Sequence, residues 1–75
     1  MNKVNILFFG FIVEKVGVSS MQLEAGKSLR EAIEEVGCND ISPLLVAVNQ
    51  VQENDMSVLL HAGDEVAIMP PFSGG

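Results

Sequence analysis

The chain has 75 residues, with ten acidic side chains against four basic ones and a net charge of −6. That length allows one domain with a modest core, and the acidic balance excludes the basic stripe that nucleic acid requires while suiting a basic protein partner. The longest apolar runs, "ILFFGFIV" and "LLVAV", fall short of the ~20 residues of a membrane span, and Cys38 and His61, alone of their kinds, are too few for a disulfide framework or a structural zinc site.

Residues 3–9, "KVNILFF", alternate as a strand and place Val4, Ile6 and Phe8 on one face. The opposite face takes Lys3 and Asn5, then Leu7 and Phe9, so the strand is one-sided at its start and two-sided at its end. Leu7 and Phe9 therefore need cover from another element or from a partner. With one lysine and no small-residue cleavage site before "EK", this start reads as a strand rather than a signal peptide. Between Gly10 and Gly17, Ile12 and Val16 stand four apart, which predicts a short helical turn laid across a sheet. Residues 18–24, "VSSMQLE", read as a second strand returning along the first, with Met21 and Leu23 on one face.

The clearest helix follows over 29–36. Ser28 and Glu31 make the S-x-x-E pattern of a capping box. Leu29, Ala32, Ile33 and Val36 recur at helical spacing, and Gly37 stands where a left-handed cap is wanted. Residues 44–50, "LLVAVNQ", read as a strand covered on most of its surface. A short strand, a polar turn, the segment "SVLL" and a turn at Gly63-Asp64 come next. The last strand covers 65–69, with Val66 and Ile68 inward and Ala67 and Met69 on the other face; Pro70 and Pro71 end it because neither has an N–H to give.

The expected fold is thus α+β, ordered β, short helix, β, helix, β, β, β. A mixed sheet with one main helix packed across it and a short extra helix is the economical core for so short a chain. That is the arrangement of the ubiquitin-like β-grasp, with a domain over 1–69 and a flexible, extended tail over 70–75. The chain is also 48% hydrophobic, more than so small a domain hides, which points to an apolar surface facing another protein.

Four segments occur in an order and spacing that resemble a known family: "KVNILFFGFIVEKVG", "LLVAVNQ", "GDEVA" and "PPFSGG". Together they are similar to the small subunits of molybdopterin synthase, within the ubiquitin-like sulfur carriers, whose nearest relatives serve thiamine synthesis. The diproline favours the molybdopterin branch. The resemblance implies a sulfur carrier in molybdenum cofactor biosynthesis, acting as the sulfur-donating half of a sulfurtransferase whose own chain brings no catalytic side chain. It implies that Gly75, with Gly74 beside it, is the reacting end. A partner adenylates the Gly75 carboxyl with ATP, a sulfur donor protein converts it to a thiocarboxylate, and the large synthase subunit uses that sulfur to build the dithiolene of a cyclic pterin precursor. It implies further a two-plus-two assembly with the large subunit, no bound cofactor or metal, no nucleic acid or membrane partner, and a cytoplasmic location, which the lone cysteine suits.

The tail suits such chemistry. A free α-carboxyl has a pKa near ~3.5, so it is an anion at neutral pH and resists nucleophiles until activated. The chain has no phosphate-cradling Gly-rich loop, which makes it the substrate of activation rather than its catalyst. Residues 70–75 reach roughly 20 Å when extended. Pro70 and Pro71 resist collapse, Gly74 and Gly75 pass a narrow channel, Phe72 offers an apolar anchor and Ser73 a hydrogen bond. Phe9 and Met69 are the expected partner contacts at the tail's root, with Phe11 and Val13 open between core and interface. At Phe11 and Val13 the sequence departs from the polar residues common in the resembled family.

Other reactive residues have plainer readings. Cys38 follows a helix C-terminus, where the dipole disfavours a thiolate, so a persulfide carrier at Cys38 is the weaker reading beside a packed cysteine. His61 reads as a turn residue with no nucleophile to serve, and Glu31, Glu34 and Glu35 as the solvated face of the helix. Besides the molybdopterin reading stand a thiamine-pathway carrier, a ubiquitin-like modifier joined through Gly75, and an interaction module with an idle tail.

Overall fold

The computed structural model describes residues 2–71, in the order β1 (Lys3–Phe8), α1 (Phe11–Val16), β2 (Ser20–Glu24), α2 (Leu29–Glu35), β3 (Leu45–Val48), β4 (Val51–Gln52) and β5 (Glu65–Met69). The expected element order holds throughout. The five strands form one mixed sheet in the order β2-β1-β5-β3-β4. β5 lies at its centre, parallel to β1 and antiparallel to β3, and β2 returns antiparallel along β1. This is the β-grasp expected from the sequence.

One face of the sheet carries the core. Val4, Ile6 and Phe8 of β1, Leu23 of β2, Val46 of β3 and Val66 and Ile68 of β5 pack with Leu29, Ala32, Ile33 and Val36 from the α2 segment. Ile12 of α1 and Leu60 close the same cluster. The register follows from this burial, because sliding a strand by one residue would turn its apolar set outward.

α2 starts where the sequence says it should. The Ser28 hydroxyl accepts from the Glu31 N–H, and the Glu31 carboxylate accepts from the Ser28 N–H. The Leu29 and Arg30 N–H groups, also without helical partners, donate to the carbonyls of Val58 and Met56, each at 2.9 Å. The helix N-terminus thereby holds the connection between β4 and β5 against the domain. "SVLL" is accordingly no strand; it makes one isolated bridge, Leu59 with Ser28.

Boundaries differ from expectation in one informative place. The strand expected over 44–50 ends at Val48, and Asn49 and Gln50 form a two-residue turn with φ of 53° and 71°. Positive φ at both positions is the requirement of a type I′ hairpin, here met without glycine. Asn49 is held by the neighbouring turn: its N–H donates to the Glu65 carbonyl (2.7 Å), its amide Nδ2 to Asp64 (3.0 Å), and its Oδ1 accepts from the Glu65 N–H (3.0 Å).

Candidate docking face and tail root

The second face of the sheet, opposite the core, grades from charged to apolar along the strands. The pairing register places Lys3 beside Glu24, then Asn5 between Gln22 and Glu65. Lys3 and Glu24 form an ion pair, and the Gln22 amide donates to Asn5. The next row is Ser20, Leu7, Ala67, Ala47 and Gln52 across all five strands. The last row sets Met69 against Leu45, with Phe9 one step past the end of β1. Leu7, Leu45, Ala47, Ala67 and Met69 are half-buried rather than buried, and Phe9 is 45% exposed. The residues that fill the core all come from the other face. This end of the open face is therefore an uncharged, apolar surface that the domain itself leaves uncovered.

The chain leaves the sheet at the same end. Pro70 follows Met69 directly and lacks the N–H that would continue the ladder. The Phe9 N–H donates to the Ile68 carbonyl at 3.1 Å, tying the end of β1 to the end of β5. Gly10 then abuts Pro70: a Cβ at Gly10 would lie 2.8 Å from the proline Cγ. Phe11 opens α1 and is 54% exposed.

The site residues expected from sequence thus divide. Phe9, Met69 and Pro70 meet at the tail root, and Pro71 follows on an exposed position. Phe11 is surface, while Val13 is half-buried against the core. Phe72, Ser73, Gly74 and Gly75 lie outside the described residues. Sequence reasoning did not single out Leu45, Ala47 or Ala67, whose membership of the patch depends on which strands pair. It also gave Gly10 no role beyond a helix boundary.

Electrostatics leave this end neutral and the rest acidic. Lys3, Lys15 and Lys27 pair with Glu24, Asp40 and Glu35, so three of the four basic side chains are neutralised. The Asp64 carboxyl is held below its usual range, first by the His61 backbone N–H at 2.7 Å and then by the Asn49 amide. Its role is to brace the turn before β5. Cys38 is fully buried, and that burial pushes its thiol upward, away from the thiolate a sulfur nucleophile needs. It sits at the edge of an open cleft of about 480 Å³ between α2 and the 38–44 segment, together with Arg30, Ile41, Leu44 and Met56. Among the described residues no group of His, Cys, Asp and Glu is placed to hold a metal, and no helix is long and apolar enough to cross a membrane.

Fold and site together define a ubiquitin-like β-grasp domain whose central strand runs out beside an apolar face. The chain belongs to the ThiS family, whose model matches residues 6–75. It is 35% identical over 81 aligned residues to the molybdopterin synthase sulfur carrier subunit of Haemophilus influenzae, covering 96% of this chain and 99% of that one. Among solved structures it is similar to SAMP1 from Haloferax volcanii, with a TM-score of 0.76 at 21% identity over 97% of this chain and 99% of that one. It is also similar to a chain in the complex of subunits 1 and 2 of molybdopterin-converting factor from Helicobacter pylori, with a TM-score of 0.70 at 22% identity over 97% and 99%.

Proposed function

We propose that this chain is the sulfur carrier of a molybdopterin synthase, with the α-carboxyl of Gly75 as its working group. The observation that supports it most is the meeting, at one end of the sheet, of an uncharged apolar face with the exit of the central strand. A partner that covers Leu7, Phe9, Leu45 and Met69 takes hold of the tail at its root. The resemblance to the Haemophilus influenzae carrier, which spans nearly the whole of both chains, favours the molybdopterin pathway over thiamine synthesis.

In this reading an adenylating partner joins the Gly75 carboxylate to the α-phosphate of ATP and releases pyrophosphate. The acyl-adenylate now has a leaving group. A sulfur nucleophile at the oxidation level of hydrosulfide attacks the carbonyl carbon, AMP departs with the C–O electron pair, and a thiocarboxylate remains. The large synthase subunit docks on the open face, receives the tail and passes the sulfur to a cyclic pterin precursor. Water supplies the oxygen that restores the carboxylate, so each dithiolene consumes two charged carriers. The domain contributes placement: it binds the partner, fixes the tail's origin and keeps Cys38 out of the chemistry.

The intact mass of the protein from its own cell tests this. The expected species is heavier by one oxygen-for-sulfur exchange, and deletion of Gly75 abolishes it while the fold persists. A folded Gly75 deletion that still supports dithiolene formation would refute the assignment. A ladder of lysine-linked conjugates, with no sulfur-bearing species, would replace it with a protein modifier.

A further inference from the structure

Gly10 differs from the other glycines at positive φ among the described residues. At Gly17, Gly26, Gly37 and Gly63 an added Cβ would meet nothing within 4 Å, so backbone conformation alone accounts for the residue. At Gly10 the conformation (φ 60°, ψ −143°) already disfavours a side chain. In addition, the added carbon would lie 2.8 Å from Cγ and 3.2 Å from Cδ of Pro70. Two independent reasons converge on one residue, and the second comes from the opposite end of the chain.

We infer that Gly10 is a positioning residue for the tail: the missing side chain makes a notch that seats the Pro70 ring and sets the direction in which the chain leaves β5. Pro70 has no N–H to bond onward, so the ladder stops guiding the chain at Met69. From there the direction depends on where the ring lies. The notch is itself fixed, because the Phe9 N–H is bonded to the Ile68 carbonyl on one side and α1 begins at Phe11 on the other. Its position at the apolar end of the open face means that a docked partner meets the tail at one angle. This inference rests on the carrier reading, in which the tail must enter a partner's active site.

The test is a double-mutant cycle on the full chain, read by ATP–pyrophosphate exchange with its adenylating enzyme and by NMR. Gly10→Ala is expected to lower kcat by about 10- to 100-fold, because small displacements of a reacting group are costly. KM for the carrier should stay within about threefold, since the docking face is untouched. Pro70→Ala removes Cγ and Cδ, the two atoms that the new methyl would meet. It is expected to lower kcat by only about threefold, through lost preorganisation. In the Pro70→Ala background, Gly10→Ala should then cost little more. Backbone strain is common to both backgrounds and cancels in the cycle.

Wild-type kcat in Gly10→Ala overturns the inference, as does an equal loss in both backgrounds, which would assign the effect to strain. If Gly10→Ala does not fold, Pro70→Ala alone decides: a kcat equal to wild type refutes the notch. Absence of a nuclear Overhauser contact between the Gly10 α-protons and the Pro70 ring in the wild type refutes it as well. A wild-type chain inert in exchange sinks the carrier reading itself, a result distinct from an active wild type beside an equally active Gly10→Ala.

Discussion

Phe8 and Phe9 are adjacent in sequence and on opposite faces of the sheet, which makes them a matched pair for separating stability from docking. Phe9 is 45% exposed. With roughly 200 Å² on a phenylalanine, about 90 Å² remains for a partner to cover. At roughly 25 cal/mol per Å² this is worth about 2 kcal/mol, or about 30-fold in Kd. Phe9→Ala should therefore weaken binding to the large synthase subunit by about that factor, while its thermal midpoint stays near the wild type. Phe8 is 3% exposed and packed within the core. Phe8→Ala should cost about 3–5 kcal/mol, a large part of the about 4–11 kcal/mol expected for a domain of this length. Its midpoint should fall by more than about 12 °C. Isothermal titration with the large subunit and thermal unfolding by circular dichroism measure both. The reasoning fails if Phe9→Ala is as unstable as Phe8→Ala, which would make Phe9 core, or if it folds and binds with unchanged affinity, which would put the interface elsewhere.

Three further outcomes follow from local chemistry. Asp64 titrates below its unfolded value, so its contribution is complete above about pH 4 and is lost as pH falls through the folded pKa. Asp64→Ala should thus be less stable than wild type by about 2 kcal/mol at pH 7, with the gap in denaturant titrations narrowing as pH falls from about 4 through the folded pKa; a gap unchanged in acid would assign the loss to packing. Gln50 holds φ at 71° without being glycine, a conformation that costs a side-chain-bearing residue about 1 kcal/mol. Gln50→Gly should leave the protein slightly more stable, by up to about 0.5 kcal/mol once the about 0.5–1 kcal/mol entropy cost of glycine is subtracted, and a clearly lower denaturation midpoint would contradict the turn assignment. Cys38 should react with iodoacetamide only on unfolding, and Cys38→Ala should still accept sulfur at Gly75; rapid native labelling together with loss of sulfur in the variant would revive a persulfide route.

What the sequence made legible was local or repeated. The α2 helix announces itself through Ser28, Glu31 and an apolar stripe, all within one segment. β5 is legible from alternation bounded by Gly63-Asp64 and Pro70. The two-sided end of β1 was visible too, because Leu7 and Phe9 break the alternation that Lys3 and Asn5 begin. The hairpin at Asn49-Gln50 was hidden because neither left-handed residue is glycine and the bonds that hold Asn49 come from Asp64 and Glu65, distant in sequence. Leu45, Ala47 and Ala67 join the patch only once β5 is known to lie between β1 and β3. No single segment carries that information, since it resides in the pairing. Gly10 has the same character: its reason for being glycine is Pro70, a contact that periodicity cannot report.

The placement of the tail on β5 has a mechanical consequence. β5 is hydrogen-bonded on both sides, to β1 and to β3, whereas β2 and β4 are edges. A tail leaving an edge strand would move whenever that edge frayed, and its origin would wander relative to any docked partner. Leaving from the centre, its origin is pinned by the Met69–Leu45 pairing on one side and by the Phe9–Ile68 bond on the other. Three of the residues that pin it, Leu45, Met69 and Phe9, belong to the apolar patch, and the fourth, Ile68, anchors them to the core. Covering the patch and locating the tail are therefore one event for a partner. If Gly75 is the working group, as proposed, an enzyme acting on it has to hold its reactive centre within roughly 20 Å of Met69, the most that six extended residues can reach. On the proposed carrier reading, partner enzymes that act in turn need only cover the same patch and set their active sites within the same reach of Met69.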